Sequence, residues 1–204
     1  MKRKLIILGI FLVSVLVHVS CNKDFLNTEP LDKVASSATW ADGPLSEAFI
    51  YNIYSYLYYA GFHEEGLSSI SDEAMFTHAG RGYNPTTEGT ESPSNPGWFN
   101  DTFRWGNMWE AIRQCNVALQ ELPESTFDDD DLRNRLIGEA HFMRAYYYHQ
   151  LLRHWGGIPI IDAPYGLDDE YNIARSSFAD CINFIVDDLD EAATRLNGVE
   201  ETPG

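Results

Sequence analysis

The residues best suited to hold a ligand lie in and just after an irregular stretch, residues 61–100. Sugars present apolar C–H faces ringed by hydroxyl groups, so their binding sites combine an aromatic platform with amide, carboxylate or guanidinium groups. This part of the chain supplies that mixture: Arg81, Tyr83, Asn84, Trp98, Asn100 and Asp101. Because long ordered loops in compact domains are usually functional, we predict a ligand site here, with a loosely ordered insertion as the alternative.

Catalytic and metal chemistry have weaker support in the same stretch. His63, Glu64, Glu65 and His78 lie there, but their spacing matches no helical metal-binding pair such as HExxH. Solvated loop charges explain them more simply. The sequence has no GxSxG, GxGxxG or phosphate-loop motif, and no CxxC or His–Cys spacing typical of zinc sites. We therefore predict that the protein is not an enzyme and has no catalytic residue, bound metal or cofactor.

The charge of the chain excludes one class of partner. The 204 residues include 31 acidic and 14 basic side chains, a net charge of −17. Residues 1–20 hold three of the basic residues and no acidic one, so the rest has 11 basic against 31 acidic residues, a net charge of −20. Nucleic acids and anionic lipid headgroups are bound by clustered Lys and Arg. We predict no nucleic-acid partner. The acidity fits a neutral ligand or a basic partner.

The amino terminus has the pattern of an export signal. Residues 2–4 are basic, and Leu5 to Val17 is an apolar run too short to span a membrane comfortably. The small residue Ser20 precedes Cys21, as in signals cleaved before an acylated cysteine. We predict a lipoprotein signal peptide over residues 1–20, a lipid on Cys21, and an extended arm over residues 21–41. Ordinary secretion with a spare cysteine is the alternative.

Apolar residues at three- and four-residue spacings predict four helices that would position this stretch. The first begins with Asp42 or Ser46 as its cap and ends near Gly61. The second runs from Trp105 to Leu122, where Pro123 stops it. No alternating run of strand length competes with these patterns. We therefore predict an all-α domain over residues 42–204 with a long irregular loop.

The third and fourth helices have clear signals at their ends. Residues 128–131 are four aspartates that precede the third helix, and Gly156 and Gly157 can close it. Ser177 and Asp180 resemble a capping box at the start of the fourth helix. The predicted core stripe of the fourth helix has six members: Phe178, Ile182, Ile185, Leu189, Ala192 and Leu196.

Several chemically distinctive side chains lie on these apolar stripes and are predicted to pack in the core. Cys115 and Cys181 each fall on a stripe, which favours two buried thiols over a disulfide bond. Trp109 and Tyr147 also lie on helix stripes, and we predict that they only pack. Glu139 and Arg144 are five residues apart, so they do not face each other, and we predict separate polar contacts with neighbouring helices.

Five segments, in order along the chain, together resemble the SusD/RagB family. The strongest is Gly138 to Tyr148, which reads GEAHFMRAYYY and is followed by the WGGIPII turn at residues 155–161. The others share the family's short motifs: Cys21 to Pro30, Ser71 to Glu73, Trp109 to Asn116, and Arg175 to Leu189. The resemblance covers nearly the whole chain.

This resemblance implies a fold and a function. Family members are lipoproteins on the outer face of the outer membrane, built on tetratricopeptide-like helix pairs. They capture glycans or other nutrients and act as a lid on a SusC-like, TonB-dependent transporter, without catalysis. Family members usually exceed twice this length, so we expect the domain over residues 42–204 to be incomplete at its carboxyl end. A helical-repeat adaptor that binds a protein and no small ligand is the alternative function.

Overall fold

The fold is all-α, as predicted. A computed structural model describes residues 36–59, 68–78, 83–97, 103–166 and 168–198. The α-helices are α1 (Ser36–Thr39), α2 (Gly43–Tyr54), α3 (Asn84–Thr87), α4 (Trp105–Glu121), α5 (Asp130–Trp155) and α6 (Phe178–Leu196). Three 3₁₀ turns cover Ser55–Tyr59, Ser68–Ile70 and Leu122–Glu124. Within the described ranges the extended pairing is limited to a bridge between Ser92 and Asn95.

The first helix begins at one of its two predicted caps, and α5 begins at an aspartate of the predicted acidic run. Asp42 accepts a hydrogen bond from the Leu45 amide at 2.9 Å, so the first of the two candidate caps is the one used. Asp129 accepts from the Leu132 amide at 2.8 Å, which satisfies an otherwise unpaired donor in the first turn of α5. The predicted end of the first helix near Gly61 lies outside the described residues; the α-helical part ends at Tyr54.

Helix α5 is the centre of the domain and packs against α2, α4 and α6. Its side chains at Leu136, Met143, Tyr147 and Leu151 are almost fully buried. Tyr147 donates its hydroxyl hydrogen bond to the Ile53 carbonyl of α2 at 2.7 Å, so its one polar group is satisfied within the core. The prediction that Tyr147 packs in the core is confirmed.

The predicted core stripe of the fourth helix is wrong in part. Ile185 and Ala192 are buried, but Phe178, Ile182 and Leu189 are 56%, 38% and 39% exposed. The buried face of α6 instead includes Asp188, which is 3% exposed. Since Asp188 pairs with the buried Arg144 of α5, the helix is turned to bring this carboxylate inward, and part of its apolar stripe faces outward.

Two cysteines and one tryptophan complete the core. Cys115 and Cys181 are free, and both are fully buried, which confirms their prediction as packed thiols. Burial raises the pKa of the Cys115 thiol well above its ordinary value, so it stays protonated. Within the predicted arm over residues 21–41, the described end differs from an extended chain: α1 is a helical turn, and the Trp40 ring packs on Phe49 at 4.9 Å between centroids.

Close backbone contacts between residues 157–158 and 175–176 join the end of α5 to the start of α6, and we call them the neck. Gly156 has a φ of 71°, which ends α5, and a Cβ on Gly157 would lie 2.2 Å from the Ser176 carbonyl oxygen. The Ser176 amide donates to the Ile158 carbonyl at 3.0 Å, and the Arg175 Nε donates to the Gly157 carbonyl at 2.6 Å. The chain therefore leaves α5 and enters α6 at one place. The described residues between these contacts, 159–166 and 168–174, form a loop beside α4 that we call the excursion.

No helix in the described ranges combines the length and apolar character that crossing a bilayer requires.

Candidate functional site

The structure describes two of the six residues predicted to bind a ligand. Tyr83 and Asn84 lie at the start of α3. Four others lie outside the described residues, as does the predicted lipid-bearing Cys21: Arg81, Trp98, Asn100 and Asp101. Their assignment to a ligand site stays a prediction.

Tyr83 and Asn84 differ in how much they offer a ligand. The Tyr83 side chain is 4% exposed and its ring lies on Phe76, with centroids 4.6 Å apart, so most of its face is covered. The side-chain oxygen of Asn84 is buried and accepts no hydrogen bond from any residue that the structure describes. An unsatisfied buried acceptor is costly, and a donor hydroxyl on a ligand could satisfy it.

A second group of aromatic side chains surrounds a cleft of about 470 Å³, which we call the aromatic cleft. One wall is a face of α4, with Trp109, Ile112, Arg113 and Asn116. The other wall comes from the excursion after α5: Ile161, Ala163, Tyr165, Gly166 and Tyr171. The two tyrosine rings are 5.5 Å apart between centroids and inclined by 55°. The volume falls within the range of small-ligand pockets, about 300–1,000 Å³.

Hydrogen bonds from two helices hold the inner end of the aromatic cleft. Asn116 of α4 donates to the Ile161 carbonyl at 2.9 Å. Tyr148 of α5 donates to the same carbonyl at 3.0 Å and accepts from the Ile161 amide at 2.7 Å. Burial raises the pKa of the Tyr148 hydroxyl above its ordinary value, so it remains a donor at neutral pH. The backbone of this wall is therefore fixed before any ligand arrives.

A buried ion pair stands behind this wall. Arg144 of α5 donates through Nε and Nη2 to both carboxylate oxygens of Asp188 at 2.8 and 2.7 Å, and through Nη1 to the Asn116 side-chain oxygen at 2.8 Å. His141 Nδ1 lies 2.7 Å from the same carboxylate. Burial alone would raise the pKa of Asp188, but the hydrogen bonds from Arg144 and His141 outweigh it and hold that pKa below its ordinary value.

Glu139 makes separate polar contacts, as predicted for it and for Arg144. It accepts from Arg135 at 2.7 Å, and Tyr54 of α2 donates to it at 3.3 Å. Arg144 reaches α4 and α6 instead, through Asn116 and Asp188. These two residues of the family-like segment thus tie α5 to three neighbouring helices, a structural role in both cases.

Sequence reasoning missed the aromatic cleft. Trp109 was assigned to packing alone, and its ring does pack on Tyr148 at 5.8 Å, but it also lines the cleft. Tyr165 and Tyr171 lie in a segment with no helical or strand period, so periodicity gives no reason to place them beside α4. The available signal was composition: two tyrosines within seven residues, in the segment that follows the glycines and proline of residues 156–159.

The other depressions fit a ligand of this kind less well. A larger and more open one, about 900 Å³, lies between the start of α5 and the end of α6, and no aromatic residue lines it. Among the described residues, no group of three or more His, Cys, Asp and Glu is placed to hold a metal ion.

Comparison with known proteins identifies relatives of the chain. Residues 28–202 match the sequence profile of a SusD-like family described as starch-binding and associating with the outer membrane. SusD-like protein P38 from Formosa agariphila is 29% identical over 97 residues, which are 47% of this chain and 18% of that protein.

Solved structures show the same helical arrangement. A SusD-like protein from Bacteroides fragilis superposes with a TM-score of 0.66 at 25% identity, over 86% of this chain and 34% of that one. A laminarin-binding SusD-like protein superposes with a TM-score of 0.62 at 22% identity, over 74% of this chain and 34% of that one. The chain thus spans about a third of the length of these two structures.

Proposed function

Because the chain belongs to the SusD-like family, we propose that it is a surface-exposed, glycan-binding lipoprotein that delivers its ligand to a SusC-like, TonB-dependent transporter. The observation that carries the proposal is the match over residues 28–202 to a family of starch-binding proteins that associate with the outer membrane. One structural relative binds laminarin, which like starch is a neutral glucan. In this proposal the chain binds and transfers a glycan and catalyses no reaction.

The membrane attachment belongs to the same proposal. Residues 1–20 act as the signal peptide, Cys21 carries the lipid, and the following arm connects the lipid to the helical domain over residues 42–204. A lipid-bearing cysteine would hold the protein at the outer membrane, with the domain facing the cell exterior. Metabolic labelling with radioactive palmitate tests this step: the wild-type protein should incorporate label and Cys21→Ala should not. An unlabelled wild-type protein would remove the lipid anchor from the proposal.

The ligand site proposed for this function is the stretch around Asn84 and Trp98, together with Arg81, Tyr83, Asn100 and Asp101. The unsatisfied Asn84 oxygen is the described feature that supports it. Affinity gels that contain starch or laminarin test the site, because a binding protein migrates more slowly in them. We expect retardation of the wild-type protein and weaker retardation of Trp98→Ala, whereas the exposed control Tyr51→Ala should migrate like wild type. A wild-type protein that neither gel retards would contradict glycan capture.

Transfer to the transporter is tested by co-purification. A SusC-like barrel protein expressed in the same cells should co-purify with the tagged chain, and the complex should survive detergent extraction. If the tagged chain binds glucan but never retains the barrel, the delivery step is wrong and capture alone remains.

One observation favours the alternative of a protein-binding helical adaptor. Phe178, Ile182, Val186 and Leu189 form an exposed apolar face on α6, with exposed fractions between 38% and 56%. Exposed apolar patches on folded proteins often mark contacts with other polypeptides. Replacing Ile182 and Val186 by serine separates the two functions: an adaptor would lose its protein partner, and a glycan-binding protein would keep its retardation in starch and laminarin gels.

A further inference from the structure

We propose that the aromatic cleft, with Trp109 and Arg113 of α4 on one side and Tyr165 and Tyr171 on the other, is a second binding site for neutral glycans, whose lining shares no residue with the site predicted from the sequence. This inference rests on the proposed function, because it assigns a second surface to glycan capture.

The rings of the aromatic cleft are available to a ligand. Tyr171 is 61% exposed, and Trp109 and Tyr165 are half-buried at its side. Exposed aromatic rings at the mouth of a concave surface provide flat apolar area at a low cost in side-chain entropy. The 55° inclination between the two tyrosine rings gives a ligand two faces at an angle, which suits a bent chain of sugar rings better than a flat aromatic compound.

Two polar groups at the aromatic cleft have unused hydrogen-bonding capacity. Arg113 is exposed, and within the described ranges its guanidinium makes no hydrogen bond or ion pair. The Tyr165 hydroxyl likewise has no hydrogen-bond partner in the part of the chain that the structure describes. A guanidinium presents its donors in a planar fork, so it can bind two adjacent hydroxyls of one sugar ring.

Asn116 lines the aromatic cleft but is not available in the same way. Its amide nitrogen donates to the Ile161 carbonyl, and its oxygen accepts from Arg144. The groups available to a ligand are therefore the three aromatic rings, the Arg113 guanidinium and the Tyr165 hydroxyl. Asn116 only holds the backbone of the opposite wall in place. The Tyr171 hydroxyl is also committed, since it donates to the Gly166 carbonyl, so only its ring faces a ligand.

The excursion that carries the tyrosines is held in shape without a ligand. The Gly166 amide donates to the Asp169 carboxylate at 2.6 Å, and Tyr171 closes the same turn from its other side. At its inner end, Ile161 is bonded to both Asn116 and Tyr148. A site with a preformed backbone loses less entropy on binding, which favours affinity for a flexible oligosaccharide.

The charge around the aromatic cleft selects for a neutral ligand. Arg113 is the cationic residue among those that line the cleft. Four acidic residues lie nearby in the excursion, all of them exposed and none of them in the lining: Asp162, Asp168, Asp169 and Glu170. These carboxylates, on a chain with a net charge of −17, repel a polyanion, and salt screens part of that repulsion. A polyanionic glycan is therefore disfavoured, and a glucan that carries only hydroxyls is accepted.

The experiment compares variants at two cleft residues with a matched control. Tyr171→Ala removes an exposed ring, Arg113→Ala removes the free guanidinium, and Arg113→Lys keeps the charge without the fork. Tyr51→Ala is the control, because Tyr51 is 55% exposed and its hydroxyl is also engaged locally, with Glu47 at 2.9 Å. Circular dichroism and thermal unfolding check that each variant folds. Dissociation constants are measured by calorimetry for laminarin oligosaccharides and for oligogalacturonate, a polyanionic probe.

We expect Tyr171→Ala and Arg113→Ala each to weaken binding of the laminarin oligosaccharides by about tenfold or more, the loss of one stacking or charged hydrogen-bonding contact. Arg113→Lys should lie between Arg113→Ala and wild type, and Tyr51→Ala should equal wild type. Binding of oligogalacturonate should be at least tenfold weaker than that of the neutral probe.

Three other results would overturn the inference in different ways. If both cleft variants bind laminarin like wild type while Trp98→Ala does not bind, the glycan site lies elsewhere and the proposed function stands. If the wild-type protein binds no glucan, the proposed function and this inference fail together. If the cleft variants keep glucan binding but lose the co-purifying barrel protein, the aromatic cleft binds a polypeptide.

Discussion

Removing the negative charge of Asp188 should destabilise the domain more than any other single conservative change in α6. Asp188→Asn keeps the size and shape of the side chain and leaves Arg144 without its counterion. Arg144 is 7% exposed and Asp188 is 3% exposed, so water cannot replace the lost partner. Breaking a buried ion pair by removing one partner typically costs about 3–5 kcal/mol, because the remaining charge stays buried.

The loss of this ion pair should affect parts of the domain beyond α6. Arg144 Nη1 also donates to Asn116, which fixes the backbone at Ile161, so the disturbance passes from α6 to the wall of the aromatic cleft. A loss of about 3–5 kcal/mol is a large share of the roughly 5–15 kcal/mol by which domains are stable. At about 2–4 °C per kcal/mol, we expect Tm to fall by roughly 6–20 °C.

The assay is urea and thermal unfolding at pH 7, with Asp187→Asn as the matched control. Asp187 is the exposed neighbour of Asp188 on the same helix, and its substitution should change stability by about 0.5 kcal/mol or less. A combined Arg144→Met and Asp188→Leu variant should recover much of the loss, because it leaves no unpaired charge. If Asp188→Asn and Asp187→Asn unfold within about 1 kcal/mol of each other, the reasoning about the buried pair is refuted.

The pH dependence gives an independent check on the same pair. Because the pKa of Asp188 is lower in the folded protein than its ordinary value of 3.8, its ionisation stabilises the fold above that value. The contribution is lost as the pH falls through the folded pKa. The stability difference between wild type and Asp188→Asn should therefore be constant near neutral pH and shrink below about pH 4.

Substitutions at three further residues should change the stability of the domain. Gly157→Ala should lower the free energy of unfolding by about 1–3 kcal/mol, since its Cβ would lie 2.2 Å from the Ser176 carbonyl oxygen. In the control Gly106→Ala the added Cβ meets no atom within 4 Å, so the stability measured by urea unfolding should be unchanged or higher. Tyr147→Phe should cost about 1 kcal/mol in the same measurement, because it removes a buried 2.7 Å hydrogen bond; an unchanged midpoint would contradict that role. Burial and nearby positive charge lower the pKa of His154 from 6.5 to about 4. Between these pH values the unfolded chain binds a proton at this residue and the folded chain does not, so the free energy of unfolding should fall as the pH drops from about 6.5 to about 4. His154→Gln should make this pH dependence weaker.

The features predicted from sequence are the ones that local chemistry determines. A capping side chain such as Asp42 acts within three residues, and the glycine that ends α5 needs only its own backbone angle. Helix existence and helix ends were therefore predicted well for α4, α5 and α6. The family resemblance was predicted for the same reason, because its motifs are contiguous segments.

The features that sequence reasoning missed depend on which helix meets which. Asp188 reads as one more acid on a charged helix, and only its contact with Arg144 shows that it faces inward and turns Phe178 and Ile182 toward solvent. Similarly, Tyr165 and Tyr171 gain a role only because the excursion folds back over α4. Contacts between distant residues are set by the packing of whole helices, and a one-dimensional pattern does not contain them.

The neck at Gly157 and Ser176 has a consequence for how such proteins can change their ligand. The Ser176–Ile158 hydrogen bond and the Arg175 contact close the base of the excursion, so α5 and α6 are joined independently of what lies between. Residues beyond this base can be replaced, lengthened or shortened without moving the helical frame, as is typical of compact surface loops whose ends are close together. Exchanging residues 162–173 should therefore alter the tyrosine side of the aromatic cleft while Trp109 and Arg113 of α4 stay in place.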